Sequence, residues 1–255
     1  MGLFGLFDKK NCAICGGEIG LFGNRKLEDG NLCKNCAAKL SPWFSERRSS
    51  TVEQIRGQLQ YREENRNALA SFHTTLSLGE NTKLLVDEDA GTFVVTDASN
   101  LINDNPDLIR FDMVTGAELD IDEESSEAET TNAKGESVRY NPPRYDYSYD
   151  FHVVIRVNHP YFNEMRFRLN ASDVETTTVP VPAIRKPNPR LNREYARYEK
   201  MGNEIVSLLT QERRRVRNEA AAAAAPKVAV TCPACGATTF PDGKGCCEYC
   251  GSPLA

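Results

Sequence analysis

The middle of the chain alternates between apolar and polar side chains, the pattern of β-strands with one buried face. From Tyr145 to Val157 every odd position is apolar, and every even position except Val154 is polar. Because successive side chains of a strand point to opposite faces, this period of two predicts one long strand. Shorter segments of the same character are residues 83–86, 92–96, 109–111, 114–121 and 165–169. They predict a central antiparallel β-barrel, or a strongly bent sheet, over residues 73–179.

Two segments flanking this region carry apolar residues at helical spacing. In the first, residues 51–72, Ser50 lies three positions before Glu53 and Thr51 three before Gln54, so a capping box predicts where the helix begins. The second helix is predicted over residues 191–224. Prolines at positions 180, 182, 187 and 189 predict an extended connector before it.

Acidic residues concentrate between two of the predicted strands. They are Asp120, Asp122, Glu123, Glu124, Glu127, Glu129 and Glu136, with Lys134 almost alone in opposition. A calcium loop needs a regular succession of ligands, which this segment lacks. We therefore predict a solvated, mobile loop here in preference to a cation or basic-peptide site.

Composition limits the class of protein. The chain has 255 residues, with 31 Lys and Arg against 36 Asp and Glu, and its net charge of −5 excludes a globally basic nucleic-acid binder. No apolar stretch approaches the roughly 18 residues of a membrane span. The apolar start lacks the charge order and cleavage site of a signal peptide. We expect a cytoplasmic protein without a transmembrane segment.

All nine cysteines lie near the two ends of the chain, whereas a secreted disulfide scaffold would distribute them through its fold. The first group, Cys12, Cys15, Cys33 and Cys36, has the spacing C-x2-C-x17-C-x2-C of a four-thiolate zinc site. Gly16 and Gly17 supply the backbone freedom that the turn after the first pair requires. Four thiolates leave no open coordination position, so we expect a structural zinc in a treble-clef finger.

The second group forms two C-x-x-C-G motifs separated by eleven residues, the pattern of a zinc ribbon. Its expected ligands are Cys232, Cys235, Cys247 and Cys250. Cys246 is assigned as the spare thiol, because only Cys247 keeps the two-residue gap to Cys250. Spacings of up to four residues do occur in zinc sites, so the reverse assignment stays open.

The second helix ends in a basic run. Arg213, Arg214, Arg215 and Arg217 are candidate contacts for RNA, an anionic membrane surface or an acidic partner. The alternative is a favourable charge toward a helix C-terminus on a solvated face. No phosphate-binding loop, nucleophile elbow or paired-histidine zinc motif is present, and we expect no enzyme activity.

The run CAICGGEIGLFGNRKLEDGNLCKNCAAKLSPWFSERR, which begins at Cys12, resembles the amino-terminal zinc-finger domain of a bacterial family of unknown function. Residues 94–97, 105–107 and 111–116 look like bacterial pleckstrin-homology-like domains, and the ending is similar to ribbons appended to bacterial adaptors. The resemblance implies an α+β, multidomain protein. Its parts are a treble clef (1–48), a linking helix (49–72), a pleckstrin-homology-like β domain (73–179), a connector and helix (180–226) and a zinc ribbon (227–255).

Three functions are consistent with these features. The first is a non-enzymatic adaptor with two structural zinc ions that binds a protein partner, with peripheral membrane association as a further expectation. The second is nucleic-acid binding through the basic helix together with Arg25, Lys26 and Lys34 of the finger. The third is a redox or zinc-responsive sensor at the adjacent Cys246 and Cys247.

Overall fold

A computed structural model shows a mixed α+β protein and describes residues 10–177, 186–224 and 229–254. The chain divides into two compact units, Met1–Arg213 and Arg214–Ala255. Much of the predicted proline connector lies outside the described residues. Among those described, no helix combines the length and the apolar character needed to cross a membrane.

The N-terminal module consists of two short hairpins followed by one helical turn. Its elements are β1 (Lys10–Asn11), β2 (Glu18–Ile19), β3 (Asn24–Lys26), β4 (Asn31–Cys33) and α1 (Lys34–Ala37). β1 pairs with β2, and β3 pairs with β4. The side chains of Leu27, Leu32 and Ile55 are wholly buried in one small core. Because Ile55 belongs to the next helix, this core continues beyond the module.

That helix, α2 (Val52–Leu69), confirms the predicted linking helix, and its first turn shows why it begins there. The Gln54 N–H donates to the Thr51 hydroxyl at 3.3 Å, and the Thr51 N–H donates to the Gln54 amide oxygen at 2.8 Å. This reciprocal capping box satisfies two donors that would otherwise lack partners at a helix start.

A buried polar network joins α2 to the loop before the strand at residue 109. The Arg62 guanidinium donates to Asp107 Oδ1 at 2.7 Å, and both side chains are almost completely shielded from water. The hydroxyls of Ser41 and Tyr61 donate to the same carboxylate at 2.8 and 3.0 Å. Asn65 donates to the Pro106 carbonyl oxygen at 2.7 Å. Ser41 follows the N-terminal module, so the network connects module, helix and loop.

The first sheet contains four antiparallel strands in chain order. They are β5 (Leu76–Gly79), β6 (Lys83–Asp87), β7 (Thr92–Thr96) and β8 (Ile109–Arg110), with the short helix α3 (Leu101–Asp104) between the last two. Every residue of β7 is buried. The predicted strands at 83–86 and 92–96 are therefore confirmed.

The second sheet is built around the long strand predicted from its alternation. Its strands are β9 (Val114–Glu127), β12 (Tyr145–Val157), β13 (Glu164–Arg168) and β14 (Val174–Thr177). Between β9 and β12 the chain forms a separate hairpin, β10 (Glu129–Thr131) and β11 (Ser137–Arg139). β12 pairs with β9 along its length and with β13 and β14 on separate stretches. The predicted closed barrel is wrong: within the described residues the strands form separate open sheets. A closed barrel would need pairing between the two four-stranded sheets, and in the part of the chain that the structure describes β5 pairs only with β6.

The acidic segment is also not the loop that the sequence predicts. Residues 114–127 form one strand, and the acidic side chains of its polar face contact cations from other strands. Arg166 contacts both Asp120 and Asp122, the latter at 2.6 Å, and Arg156 pairs with Glu118. Cross-strand opposite charges stabilise a sheet, so these acids hold β9 against its neighbours.

The long helix α4 (Arg193–Ala224) packs its aromatic residues against the second sheet. The ring of Tyr195 lies 4.9 Å from that of Tyr149 and 5.0 Å from that of Phe151, edge to face in both cases. A Cβ atom at Gly202 would lie 2.4 Å from a Leu119 methyl group, so glycine allows this close approach without displacing the Leu119 side chain. The described end of the chain contains the hairpin β15 (Val230–Thr231) and β16 (Thr238–Thr239).

Candidate metal centres

The structure brings the four N-terminal cysteines into one group. Their sulfur atoms all lie within 4.8 Å of one another, although the cysteines come from two segments seventeen residues apart. The first pair lies in the turn between β1 and β2, and the second pair lies at the end of β4 and in α1. Both hairpins and the helical turn are therefore needed to assemble the group.

The first pair is held by a tight backbone turn. The Cys12 N–H donates to the Gly17 carbonyl oxygen, and the Gly16 N–H donates to the Cys12 carbonyl oxygen, each at 2.8 Å. Gly16 has a φ of +72°, in the left-handed region that side chains rarely adopt. This knuckle points both sulfur atoms to one side.

The second pair uses the start of a helix instead. Cys33 is the N-cap of α1, and its sulfur accepts the Cys36 N–H at 3.4 Å. The Cys33 N–H in turn lies 3.3 Å from the Cys12 sulfur. Although burial opposes ionisation of Cys12, the backbone N–H groups around it lower its pKa to about 6. Burial and the neighbouring thiols raise the pKa of Cys36.

The C-terminal group is built from two copies of the same knuckle. The N–H of Cys232 donates to the Ala237 carbonyl oxygen, and that of Cys247 donates to the Ser252 carbonyl oxygen, both at 2.8 Å. Gly236 and Gly251 have φ values of +74° and +71°. The group contains Cys232, Cys235, Cys247 and Cys250, with all sulfur atoms within 4.8 Å of one another.

Cys246 lies outside this group. The sequence predicts the same, because Cys247 and not Cys246 is separated from Cys250 by two residues. Its sulfur is 3.8 Å from the Lys244 carbonyl oxygen, and its backbone N–H donates to the Asp242 carboxylate at 2.7 Å. The knuckle hydrogen bonds begin at Cys247 and are the same as those that begin at Cys12 and Cys232. Adjacent residues cannot both occupy the first position of one turn, which explains why Cys247 joins the group.

The sulfur separations fit a tetrahedral ion. Four thiolates about 2.3 Å from a central ion are separated from each other by about 3.8 Å. The structure has 3.8 Å between Cys15 and Cys33, 3.6 Å between Cys232 and Cys250, and 3.8 Å between Cys235 and Cys247. Each group can therefore hold one metal ion with all four positions taken by sulfur, an arrangement that leaves no position for substrate.

The basic run at the end of α4 is partly engaged within the protein. The Arg213 guanidinium donates to the Thr115 carbonyl oxygen, and Arg215 forms an ion pair with Glu219 at 2.9 Å. Arg214 and Arg217 are exposed. Arg215 is exposed as well, so three of the four predicted arginines are presented to solvent, and one of these three is paired within the helix.

Two further features are ones that sequence reasoning misses. One is a groove of about 720 Å³ between the edge strand β5 and helix α4. The other is a concavity of about 840 Å³ on the N-terminal module, whose lining includes Arg25, Lys26, Arg47 and Arg48. The sequence points to Arg25 and Lys26 in this lining but not to Arg47 and Arg48, and it does not single out the exposed dipeptide Leu21-Phe22 in the turn before β3.

Comparison with known proteins gives one match. Residues 10–58 match a family model described as a domain of unknown function, DUF4428. These residues contain the N-terminal metal group and the first turns of α2. No curated protein and no solved structure gives a significant match to the chain.

Proposed function

We propose that this protein is a non-catalytic, cytoplasmic adaptor in which two structural zinc ions stabilise a scaffold that binds an extended segment of a partner protein. The observation that carries the proposal is the groove between β5 and α4. The metal centres supply stability, and the groove supplies the binding surface.

Zinc is the ion that the two groups favour. A set of four thiolates with tetrahedral spacing is the preferred environment of structural zinc, and a module as small as residues 229–254 needs a metal to fold. The knuckle followed by a ligand-bearing helix supports a treble clef at the N-terminus. Two knuckles joined to a short hairpin support a zinc ribbon at the C-terminus.

The groove offers both backbone and apolar contacts. β5 is the outer strand of the first sheet, so its outward N–H and C=O groups are available to pair with an added strand. Leu76 and Leu78 of β5 and Leu208 of α4 line the groove with half-buried side chains. Lys200 and Glu204 supply opposite charges on its helical side. An extended peptide with alternating apolar residues fits this combination.

The arrangement of the scaffold supports the same proposal. Two successive antiparallel sheets followed by a long packed helix agree with a pleckstrin-homology-like domain whose sheets stay open. A fold of this kind does not carry a function by itself, and the groove supplies the binding surface.

The groove is tested by selecting binders from a random-peptide library with the full-length, metal-loaded protein. We expect selected peptides to be rich in alternating apolar residues and to lose about tenfold or more in affinity for Leu208→Glu, because a charge would enter the apolar part of the groove. Leu191→Glu is the matched control, since Leu191 is 82% exposed outside the groove. Equal affinity of both variants would exclude this surface.

Nucleic-acid binding is the second candidate, and the exposure of Arg214 and Arg217 favours it. A gel-shift assay with single-stranded RNA tests it. Loss of binding in Arg214→Glu/Arg217→Glu, with a steep salt dependence, would support this candidate over the adaptor. The sensor hypothesis depends on Cys246 and is tested by the substitution considered below.

A further inference from the structure

Two large apolar side chains project from the turn that joins β2 to β3. Leu21 is 76% exposed and Phe22 is 88% exposed, and the two are adjacent. Single exposed apolar residues are common on protein surfaces. Here two large apolar side chains are exposed side by side at the tip of a turn, and neither contributes to core packing. Packing within the N-terminal module therefore does not explain why these residues are apolar.

The concavity beside this turn collects positive charge. Its lining contains Arg25 and Lys26 from β3 and Arg47 and Arg48 from the helical turn at 46–49, with Glu28 as its single acidic residue. None of the four cations forms an ion pair with a carboxylate of the described residues. The sequence separates the two pairs by about twenty positions, so the fold has brought together groups that repel one another.

Backbone carbonyl groups hold two of these cations in place. The Arg47 guanidinium donates to the Lys26 carbonyl oxygen at 2.7 Å, and the Arg25 guanidinium donates to those of Phe22 and Asn24 at 3.2 and 3.3 Å. Carbonyl acceptors orient a guanidinium without neutralising it. Burial and the charges of Arg48 and Arg25 lower the pKa of Arg47.

The Arg25 contacts also connect the two features. One side chain spans from the concavity to the backbone of the apolar turn, so cations and exposed apolar groups lie on one continuous surface. A peripheral protein needs both signals for stable membrane attachment: apolar side chains that enter the boundary between headgroups and acyl chains, and cations for anionic headgroups. Binding to single-stranded nucleic acid would favour aromatic platforms between the cations, whereas here the apolar pair protrudes ahead of them.

We infer that the N-terminal metal module docks on the surface of an anionic phospholipid bilayer, with Leu21 and Phe22 inserted and Arg25, Lys26, Arg47 and Arg48 bound to headgroup phosphates. The inference requires the folded N-terminal module and does not depend on the groove between β5 and α4. Failure of one proposal therefore leaves the other standing, since Leu208→Glu and the substitutions below act on separate surfaces.

The test is co-sedimentation of the full-length, metal-loaded protein with vesicles. We expect binding to vesicles of phosphatidylcholine with about one third phosphatidylserine, and about tenfold less to phosphatidylcholine alone. Raising the salt from about 0.1 M to about 1 M shortens the Debye length from about 10 to about 3 Å and should release most of the protein. Absence of binding to the anionic vesicles at low salt would overturn the inference.

Variants assign the contact to residues. We expect Leu21→Ser/Phe22→Ser and, separately, Lys26→Glu/Arg48→Glu each to weaken vesicle binding about tenfold or more, because each removes one of the two signals. Leu191→Ser and Lys134→Glu/Arg139→Glu are the controls, because these exposed residues lie outside both the turn and the concavity. Both control variants should bind as the parent protein does. Circular dichroism and two bound metal ions per chain establish that each variant is folded.

Three outcomes contradict the inference. One is that the apolar variant binds vesicles as well as the parent protein does. Another is that deletion of residues 2–9, whose sequence is also apolar, abolishes binding while the turn variant retains it. The last concerns single-stranded RNA. If Lys26→Glu/Arg48→Glu loses RNA binding, and anionic vesicles do not displace RNA from the parent protein, the surface binds nucleic acid.

Discussion

The N-terminal and C-terminal metal modules hold the same four-thiol group on frameworks that differ in how much apolar core surrounds it. In the N-terminal module, Cys12 and Cys36 are buried in one cluster with Leu27, Leu32 and Ile55. In the C-terminal module, the buried residues are Cys232, Cys247 and Thr239, and the side chains of Phe240 and Tyr249 are 48% and 74% exposed. In the N-terminal module the thiols are one part of an apolar core, whereas in the C-terminal module they make up most of the core.

The difference extends to the surroundings of each module. Ile55 of α2 completes the N-terminal core, and Ser41 contributes to the polar network around Asp107. The ring of Phe44 also lies edge-on to that of Tyr161, which follows β12, at 6.4 Å. Identical ligand chemistry can thus stabilise a module that folds with its neighbours or one that depends on its metal. The contribution of a metal ion to folding is set by the apolar surface that the rest of the module can bury.

Metal removal is expected to give the largest effect and to separate the two modules. Chelation should abolish amide protection in residues 229–254, because metal binding supplies about 10–16 kcal/mol in modules of this kind. Residues 52–69 should keep much of their protection, since Ile55 and the Asp107 network remain. Hydrogen exchange followed by mass spectrometry measures both segments in one sample. Protected amides in residues 229–254 without metal would break the comparison.

Substitution of the adjacent cysteines tests the C-terminal ligand set. Cys247→Ser should release one of two metal ions and unfold residues 229–254, because Cys247 begins the second knuckle. Cys246→Ser is the matched control and should retain both ions, as counted by elemental analysis, and the same thermal unfolding. If Cys246→Ser loses the metal while Cys247→Ser keeps it, the assignment of the ligand is reversed, and a sensor role for this pair gains support.

Asp107→Asn tests whether the N-terminal module is coupled to the sheets. The change leaves the Arg62 charge buried without its partner, which costs about 3–5 kcal/mol of unfolding free energy. Glu118→Gln is the matched control, since its pair with Arg156 is half exposed and worth about 0.2–1 kcal/mol. Urea denaturation measures both. Equal losses in the two variants would show that the network does not couple these parts.

The knuckle glycines should give the smallest effect. No atom lies within 4 Å of a Cβ added at Gly16 or at Gly251, so alanine costs only the left-handed backbone conformation, about 1–2 kcal/mol. We expect Gly251→Ala to weaken C-terminal metal affinity about five- to thirtyfold, because metal binding and folding are one event there. Gly16→Ala should mainly lower the melting temperature of the larger unit. Metal competition titrations and calorimetry measure these changes, and identical behaviour of the two variants would contradict the comparison.

The sequence predicts local structure well where neighbouring residues decide it. The alternation at residues 145–157 corresponds to β12, and the capping box at Thr51 marks where α2 begins. The cysteine spacing likewise selects the two groups whose sulfur atoms the structure brings together. In each case the relevant period or turn spans only a few residues, so short-range patterns are sufficient.

Two predictions failed because their outcome depended on distant residues. The acidic residues from Asp120 onward predict a solvated loop when only neighbouring residues are considered. Arg166, 46 positions from Asp120, neutralises part of this charge across the sheet. The closed barrel failed for a related reason. Strand alternation specifies which face is buried, whereas closure depends on which edges pair, and β5 pairs only with β6 among the described residues.

The amino-acid sequence alone predicts β6, β7, β12, the start of α2 and the two cysteine groups, because hydrophobic periodicity, capping and turn geometry act over a few residues. It does not predict β5, the outer strand that borders the groove. Only the tertiary structure decided that Asp107 neutralises Arg62, 45 positions away, and that Arg47 and Arg48 lie beside Arg25 and Lys26. It also decided that β5 and α4 border one open groove. Electrostatic contacts and surface shape depend on distance in space, and the fold sets that distance independently of separation along the chain.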